Sequence, residues 1–236
     1  MKYQLSISSG QTTANRVKTI QGQSDTKLSE VGIKQSEQLS QDLDCSRFDK
    51  IFSSDLSRAL DTAKIVVKTE DRIQTDRRLR ERGFGPIEGQ SLDQLKALAA
   101  KHGFPPNKLS EFTPEGGESL EQVSQRVVDF FANHLIKLVS NGSRVLIVSH
   151  GGVIREMIKY FRDRLKCQFP KGSSPTVITP NTSLNEFKLI YGKKGLISAE
   201  CLKLHDIQHL SKDMKDLALS EEQINDSNNS GQQEAL

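Results

Sequence analysis

The chain has 236 residues, enough for one substantial hydrophobic core, and its 35% hydrophobic and 27% charged content suits a soluble globular protein. Thirty-three basic against 30 acidic residues give a formal net charge of +3, too balanced to argue for nucleic-acid binding. No run is apolar and long enough to span a bilayer or to direct secretion, and the three scattered cysteines form no disulfide framework, so the cytoplasm is the expected setting.

The first predicted element is a short strand from Tyr3, with Tyr3, Leu5 and Ile7 facing one way and Gln4 and Ser6 the other. It runs into a polar loop, Ser8-Ser9-Gly10-Gln11-Thr12. LSEVGIKQSEQLSQDLD reads as a helix capped by Ser29, DKIFSS as a strand, and DLSRALDTAKIVVK as a helix with Leu56, Leu60, Ala63 and Val67 on one face. TDRRLRERGFGPIEGQ is basic, Gly-rich and without period, which predicts a functional loop. Two helices begin with capping boxes, Ser91 with Gln94 and Ser119 with Gln122. The second carries a core-facing stripe of Leu120, Val123, Val127, Phe130, Phe131, His134, Leu135 and Leu138. SRVLIVS is a nearly continuous apolar run, as in a strand buried on both faces, and the helix VIREMIKYFRDRL follows it. Two more strands are placed near 183–191 and 196–203. The alternation predicts an α/β domain over residues 1–210, a three-layer α/β/α arrangement with a mostly parallel central sheet. Residues 211–236 are polar and lack a clean period, so a disordered tail is expected there.

Three stretches could carry chemistry. In VSHGG, a strand end meets two glycines and a helix start, which exposes N–H groups and the positive end of a helix dipole; His150 and Gly151 then either face an anion or merely cap the strand. SSDLSRA puts Arg58 in a first helical turn, as a bidentate phosphate clamp or as a surface arginine. LRERGFG sets Glu81 among Arg77, Arg78, Arg80 and Arg82, where it is either a general acid or base with arginines binding substrate charge, or part of a solvated ion-pair cluster. Thr113, Gly116 and Gly117 set up a helix start and could also offer amides to a ligand. The five histidines are scattered with no ligand spacing, so neither a metal nor a cofactor is expected.

In order, LSEVGIKQSEQL, FSSDLSRALDTAKI, RLRERGFGPIEG, PEGGESLEQVSQRV and VLIVSHGGVIREMI resemble the signature segments of the histidine phosphatase superfamily, the phosphoglycerate mutase-like fold. TIQGQ, TPEGGESLEQV, RLKCQFP and TPNTS bring the likeness nearest to fructose-2,6-bisphosphatase-like members that regulate glycolysis, although the linker before RVLIVSHGG is shorter here. The resemblance implies hydrolysis of phosphate monoesters through a phosphohistidine. By the same resemblance, Arg58 and His150 hold phosphoryl oxygens, Glu81 protonates the leaving group, Asn15 touches phosphate, and Gln21 and Gly22 lie on the loop beside it. The family's first arginine falls on Ser8 and its nucleophilic histidine on Ser9, while Gln11 stands where glutamate is usual. The expected partner is therefore a phosphorylated small molecule of sugar bisphosphate or phosphoglycerate type, held by an impaired enzyme acting as a binding or regulatory protein. The competing expectations are an active sugar-phosphate phosphatase using Ser9 or water, and a structural protein that binds no anion. Family resemblance also allows nuclear or mitochondrial association.

Overall fold

The structure, a computed structural model, describes residues 2–138, 142–177, 179–192 and 195–226. The chain runs β1 (Lys2–Ser8), α1 (Thr13–Arg16), α2 (Glu30–Asp42), β2 (Lys50–Ser53), α3 (Ser57–Val67), β3 (Ile73–Thr75), α4 (Leu92–Lys101) and α5 (Leu120–Val128). A π-helical segment, Asp129–His134, then leads into α6 (Leu135–Leu138), β4 (Arg144–Ser149), α7 (Gly151–Leu165), β5 (Leu184–Gly192), β6 (Gly195–Asp206) and α8 (Lys212–Asp226).

The six strands form one sheet in the order β3-β2-β4-β1-β5-β6. The first four are parallel, and β5 and β6 close one side as an antiparallel pair. Alternation along the buried strands sends side chains into two separate cores. Val145 and Ile147 of β4 join Phe52, Phe130, Phe131, Met157 and Phe161 beneath α5 and α7, whereas Leu146 and Val148 join Leu5, Ile7, Ile51, Leu39 and Ala63 beneath α2 and α3. This gives the three layers expected. A third, smaller core gathers Ile20, Ile87, Leu95, Leu109 and Phe112 around α4, beyond the carboxyl ends of the strands.

The expected caps form: Ser29 Oγ accepts the Gly32 N–H at 3.1 Å, and both predicted capping boxes close. The helical stripes are less faithful. In α3 the buried face is Arg58, Ala59, Thr62, Ala63, Val66 and Val67, so Leu60 sits at its margin. After α5 the i→i+5 bonding of the π-helical segment shifts the helical phase, and Phe130, Phe131 and Leu135 are buried while Leu138 is exposed. Three elements lie outside the sequence expectation, the first being α1, a single turn closed by a Thr12–Asn15 capping box inside the expected polar loop. β3 is three residues on a sheet edge, Ile73 half-buried and Gln74 and Thr75 exposed, too short to show a period. Residues 212–226 form α8 where a disordered tail is expected; Ser211 exchanges hydrogen bonds with Gln38 at its start, and Ala218 is buried at 2% exposure. The remainder of the expected tail, 227–236, lies outside the described residues.

Candidate functional site

Parallel strands deliver their carboxyl ends to one place. The Ser9 N–H donates to Ser149 O at 2.8 Å and the Ser54 N–H to Val148 O at 2.9 Å, so the ends of β1, β2 and β4 stay in register just past the sheet. They open into a cavity of about 370 Å³. Ser8 and Ser9 line it, with Arg58 from α3, Glu81 and Arg82 from the 80–84 loop, and His150 and Gly151 from the start of α7. Asn15 lines it from α1, and Gln21 and Gly22 from the loop that follows. Ser8, Ser9, Asn15, Gln21, Gly22, Arg58, Glu81, Arg82, His150 and Gly151 thus meet in one recess, whereas Arg77, Arg78 and Arg80 do not line it.

The loop holding Ser8 and Ser9 is seated firmly. The Gly10 N–H donates to Thr62 Oγ1 at 3.0 Å and the Gln11 N–H to Gln35 Oε1 at 3.1 Å. Gly32 must be glycine here, because a Cβ would lie 2.0 Å from Gln11 O. On the other side the Thr182 N–H donates to Ser8 O at 3.2 Å, and Asn181 Nδ2 donates to Ser9 O at 2.8 Å. The serine hydroxyls themselves make no hydrogen bond among the described residues, although Ser8 and Ser9 are only 2% and 6% exposed.

Arg58 and its loop clasp each other. Arg58 Nη2 donates to Gly22 O at 2.8 Å and Nη1 to Ser24 O at 3.0 Å, while Asp25 accepts from the Ser57 N–H and hydroxyl at 2.8 and 2.7 Å. Those Ser57 hydrogen bonds hold the Asp25 carboxyl below the usual carboxylate range. Arg58 Nε has no partner among the described residues, so one flank of the guanidinium is available to a ligand.

His150 Nε2 lies 2.8 Å from Ser54 Oγ, and its Nδ1 is buried with no partner among the described residues. Burial, with Arg58 and Arg126 adding to it, drives the imidazole well below its ordinary pKa, so the ring is neutral near pH 7. Glu81 accepts from the Gly152 N–H at 3.1 Å and from the Arg82 N–H at 2.8 Å. Gly152 allows that contact, since a Cβ there would stand 2.4 Å from Glu81 Oε1.

Among the other arginines of the 77–82 run, Arg77 is exposed, and Arg78 and Arg80 take structural roles. Arg78 pairs with Asp76 and Asp129, and Arg80 with Asp55. Arg82, expected to bind substrate charge, donates to the carbonyls of Glu118, Ser110 and Phe112 at 2.6–2.7 Å and to the Thr113 hydroxyl at 3.1 Å. It holds the 110–118 loop. Thr113, Gly116 and Gly117 belong to that loop and do not line the cavity. Four contributors are not among the candidate site residues of the sequence: Ser54, the cations Lys18 and Arg155, and Thr179–Asn181, whose TPNTS stretch carries part of the resemblance only. Arg155 follows His150 by little more than a helical turn, and a scan for cations near VSHGG would have found it.

A family model described as histidine phosphatase superfamily (branch 1) matches residues 9–200. The chain belongs to that superfamily. Among histidine phosphatases and their relatives, fructose-2,6-bisphosphatase TIGAR of Xenopus tropicalis is 34% identical, with 86% of this chain and 92% of the relative covered. Phosphoglycerate mutase-like protein 4 of Arabidopsis thaliana is 33% identical, with 86% and 84% covered. A mycobacterial glucosyl-3-phosphoglycerate phosphatase superposes with a TM-score of 0.69 at 27% identity, over 86% of this chain and 98% of that one. That phosphatase has also been solved with VO3, in a structure that is 26% identical with a TM-score of 0.68.

Proposed function

We propose that this TIGAR-like histidine phosphatase binds phosphate monoesters in the cavity at the strand ends and hydrolyses them very poorly, acting as a binding or regulatory protein. The observation that carries the reading is Ser8-Ser9 at the end of β1, facing a recess that still holds Arg58, His150 and Glu81. By family resemblance these two positions belong to an arginine and the histidine that attacks phosphorus.

Histidine suits a two-step transfer because imidazole is nucleophilic near neutral pH and its bond to phosphorus is readily hydrolysed. A serine hydroxyl is a weak nucleophile without a base. Its ester would be another phosphate monoester, a class whose uncatalysed hydrolysis is among the slowest known, so the exchange gains little. Loss of a nucleophile typically lowers rate by ~10³- to 10⁶-fold. Removing the first arginine also takes a charge-assisted clamp from the transferring group. Binding suffers less, because Arg58, the amides at the start of α7 and the cations Lys18 and Arg155 remain. Relatives named for fructose-2,6-bisphosphate or glucosyl-3-phosphoglycerate support a phosphorylated small molecule as the ligand. The free, buried Cys45, Cys167 and Cys201 support a cytoplasmic setting.

The test has two parts: phosphate release from fructose-2,6-bisphosphate and an aryl phosphate, and thermal stabilisation by millimolar phosphate or vanadate. The reading requires stabilisation with little release. Turnover at the rate of an intact family member refutes impairment, and absence of any stabilisation refutes binding.

The retained acid favours a second reading, an active phosphatase that uses Ser9 or water, because Glu81 is held at the cavity by two backbone N–H groups. Under that reading Glu81→Gln and His150→Ala each abolish a measurable release; activity surviving in both excludes it.

A further inference from the structure

The cavity has two chemically different sides. One is the polar floor at the strand ends. The other is made by Ile20, Phe84, Leu92, Leu95 and Leu109, all members of the third core or packed against it, and none of these side chains carries a hydrogen-bonding group. Phe84 and Leu92 remain half-buried, so this small core is left open toward the recess rather than sealed. α8 adds Ala218 to the lining, a further apolar contact.

Two of the polar groups bordering this wall are turned to other work, while Lys18 and Arg155 stand at its rim. Gln21 Oε1 accepts the hydroxyls of Thr12 and Thr26 at 2.8 and 2.6 Å, and Arg82 is spent on loop carbonyls. The face of a polyhydroxylated sugar pressed against these five side chains would give up hydration of its hydroxyls and recover no partner from them. An aromatic body would lose no such partners and would remove Leu92 and the Phe84 ring from water. A recess of about 370 Å³ falls at the small end of the range for organic ligands, with room for a phosphate and a compact ring system.

We infer that the alcohol carried by the bound phosphate is apolar and aromatic, and that Leu92 and Phe84 select it. This rests on the reading of the cavity as a phosphate-monoester site and narrows the ligand class beyond it. Selection here is differential: the floor binds the phosphate of every candidate alike, and the wall distinguishes what is attached to it.

Calorimetry on the full chain with inorganic phosphate, phenyl phosphate, 1-naphthyl phosphate, glucose 6-phosphate and fructose-2,6-bisphosphate tests the inference. Naphthyl phosphate is expected to bind at least about tenfold tighter than inorganic phosphate, with phenyl phosphate between them and the sugar phosphates no tighter than phosphate itself. Leu92→Gln, at the partly exposed first residue of α4, should lose about tenfold for naphthyl phosphate and leave inorganic phosphate within about twofold. Phe84→Ser provides a second, independent variant with the same expected pattern. Sugar phosphates binding tighter than aryl phosphates would overturn the inference while the phosphate-site reading stands. So would equal losses for naphthyl and inorganic phosphate in both variants. If inorganic phosphate itself does not bind, the phosphate-site reading falls and this inference with it.

Discussion

Returning Ser8 to arginine and Ser9 to histidine together tests both the register of the β1 tip and the soundness of the groups around it. Both positions are nearly closed to solvent, and both line the cavity with Arg58, itself only 3% exposed. The double variant therefore adds a second guanidinium to a space that already holds one. Two like charges about 4 Å apart repel by about 4 kcal/mol at an effective dielectric of about 20, the upper end of what is expected here. Glu81 and admitted water offset part of this, so the ligand-free variant should be destabilised by about 2–4 kcal/mol, a sizeable share of a typical domain's ~5–15 kcal/mol. A phosphate dianion between the cations reverses the sign; ligand at 100 times its Kd returns about 2.7 kcal/mol. The variant should accordingly melt below the parent in plain buffer and gain more from vanadate than the parent does. If Glu81 and His150 are in working positions, release of an aryl phosphate should rise by at least ~10³-fold, the lower bound of what loss of a nucleophile removes. Melting curves with and without vanadate, beside a phosphate-release assay, give both readouts. A folded, vanadate-responsive variant with no gain in release would refute the claim that the remaining groups form a sound phosphatase site.

Other consequences can be checked directly. Burial holds the His150 imidazole well below the ordinary histidine value of 6.5 and brings His205 and His209 to about 4, so the unfolded chain takes up protons near pH 6.5 that the folded chain refuses. Stability should be full above about pH 6.5 and fall as the pH drops toward about 4, by about 1.4 kcal/mol per pH unit for each histidine; urea midpoints that stay flat from pH 7.5 to 5 would contradict this. Gly152→Ala should push Glu81 out of place, abolishing the release gained by the Ser8→Arg/Ser9→His variant while leaving the melting temperature within a few degrees. Arg82→Met should destabilise the fold by about 2–4 kcal/mol in denaturant, because three carbonyls and a hydroxyl lose their donor. Arg82→Lys should not restore it, since one ammonium cannot reproduce the spread of a guanidinium.

The scaffold is legible in the sequence where local chemistry is self-contained. Ser29, Ser91 and Ser119 announce helix starts through contacts made within three residues, and the apolar run of β4 announces a strand buried on both faces. Legibility falls where a residue's role is set by distant chain. Arg58 and Arg82 look alike in sequence, yet Arg58 lines the cavity with its Nε unpartnered among the described residues, and Arg82 is consumed by the 110–118 loop, more than two dozen residues away. The apolar wall is hidden for the same reason, since Ile20, Phe84, Leu92 and Leu109 share no common period and meet only once α4 folds over the strand ends. α8 escapes notice because just one of its residues, Ala218, is fully buried among those whose side chains are described.

The clasp of Asp25 on Ser57 and of Arg58 on the carbonyls of Gly22 and Ser24 involves neither Ser8 nor Ser9 through its side chain. The architecture of the recess is consequently independent of the two side chains at the strand tip, which can be exchanged without removing any bond of this clasp. Under the proposed reading, a scaffold of this kind keeps its grip on a phosphorylated molecule separate from the chemistry that would transform it.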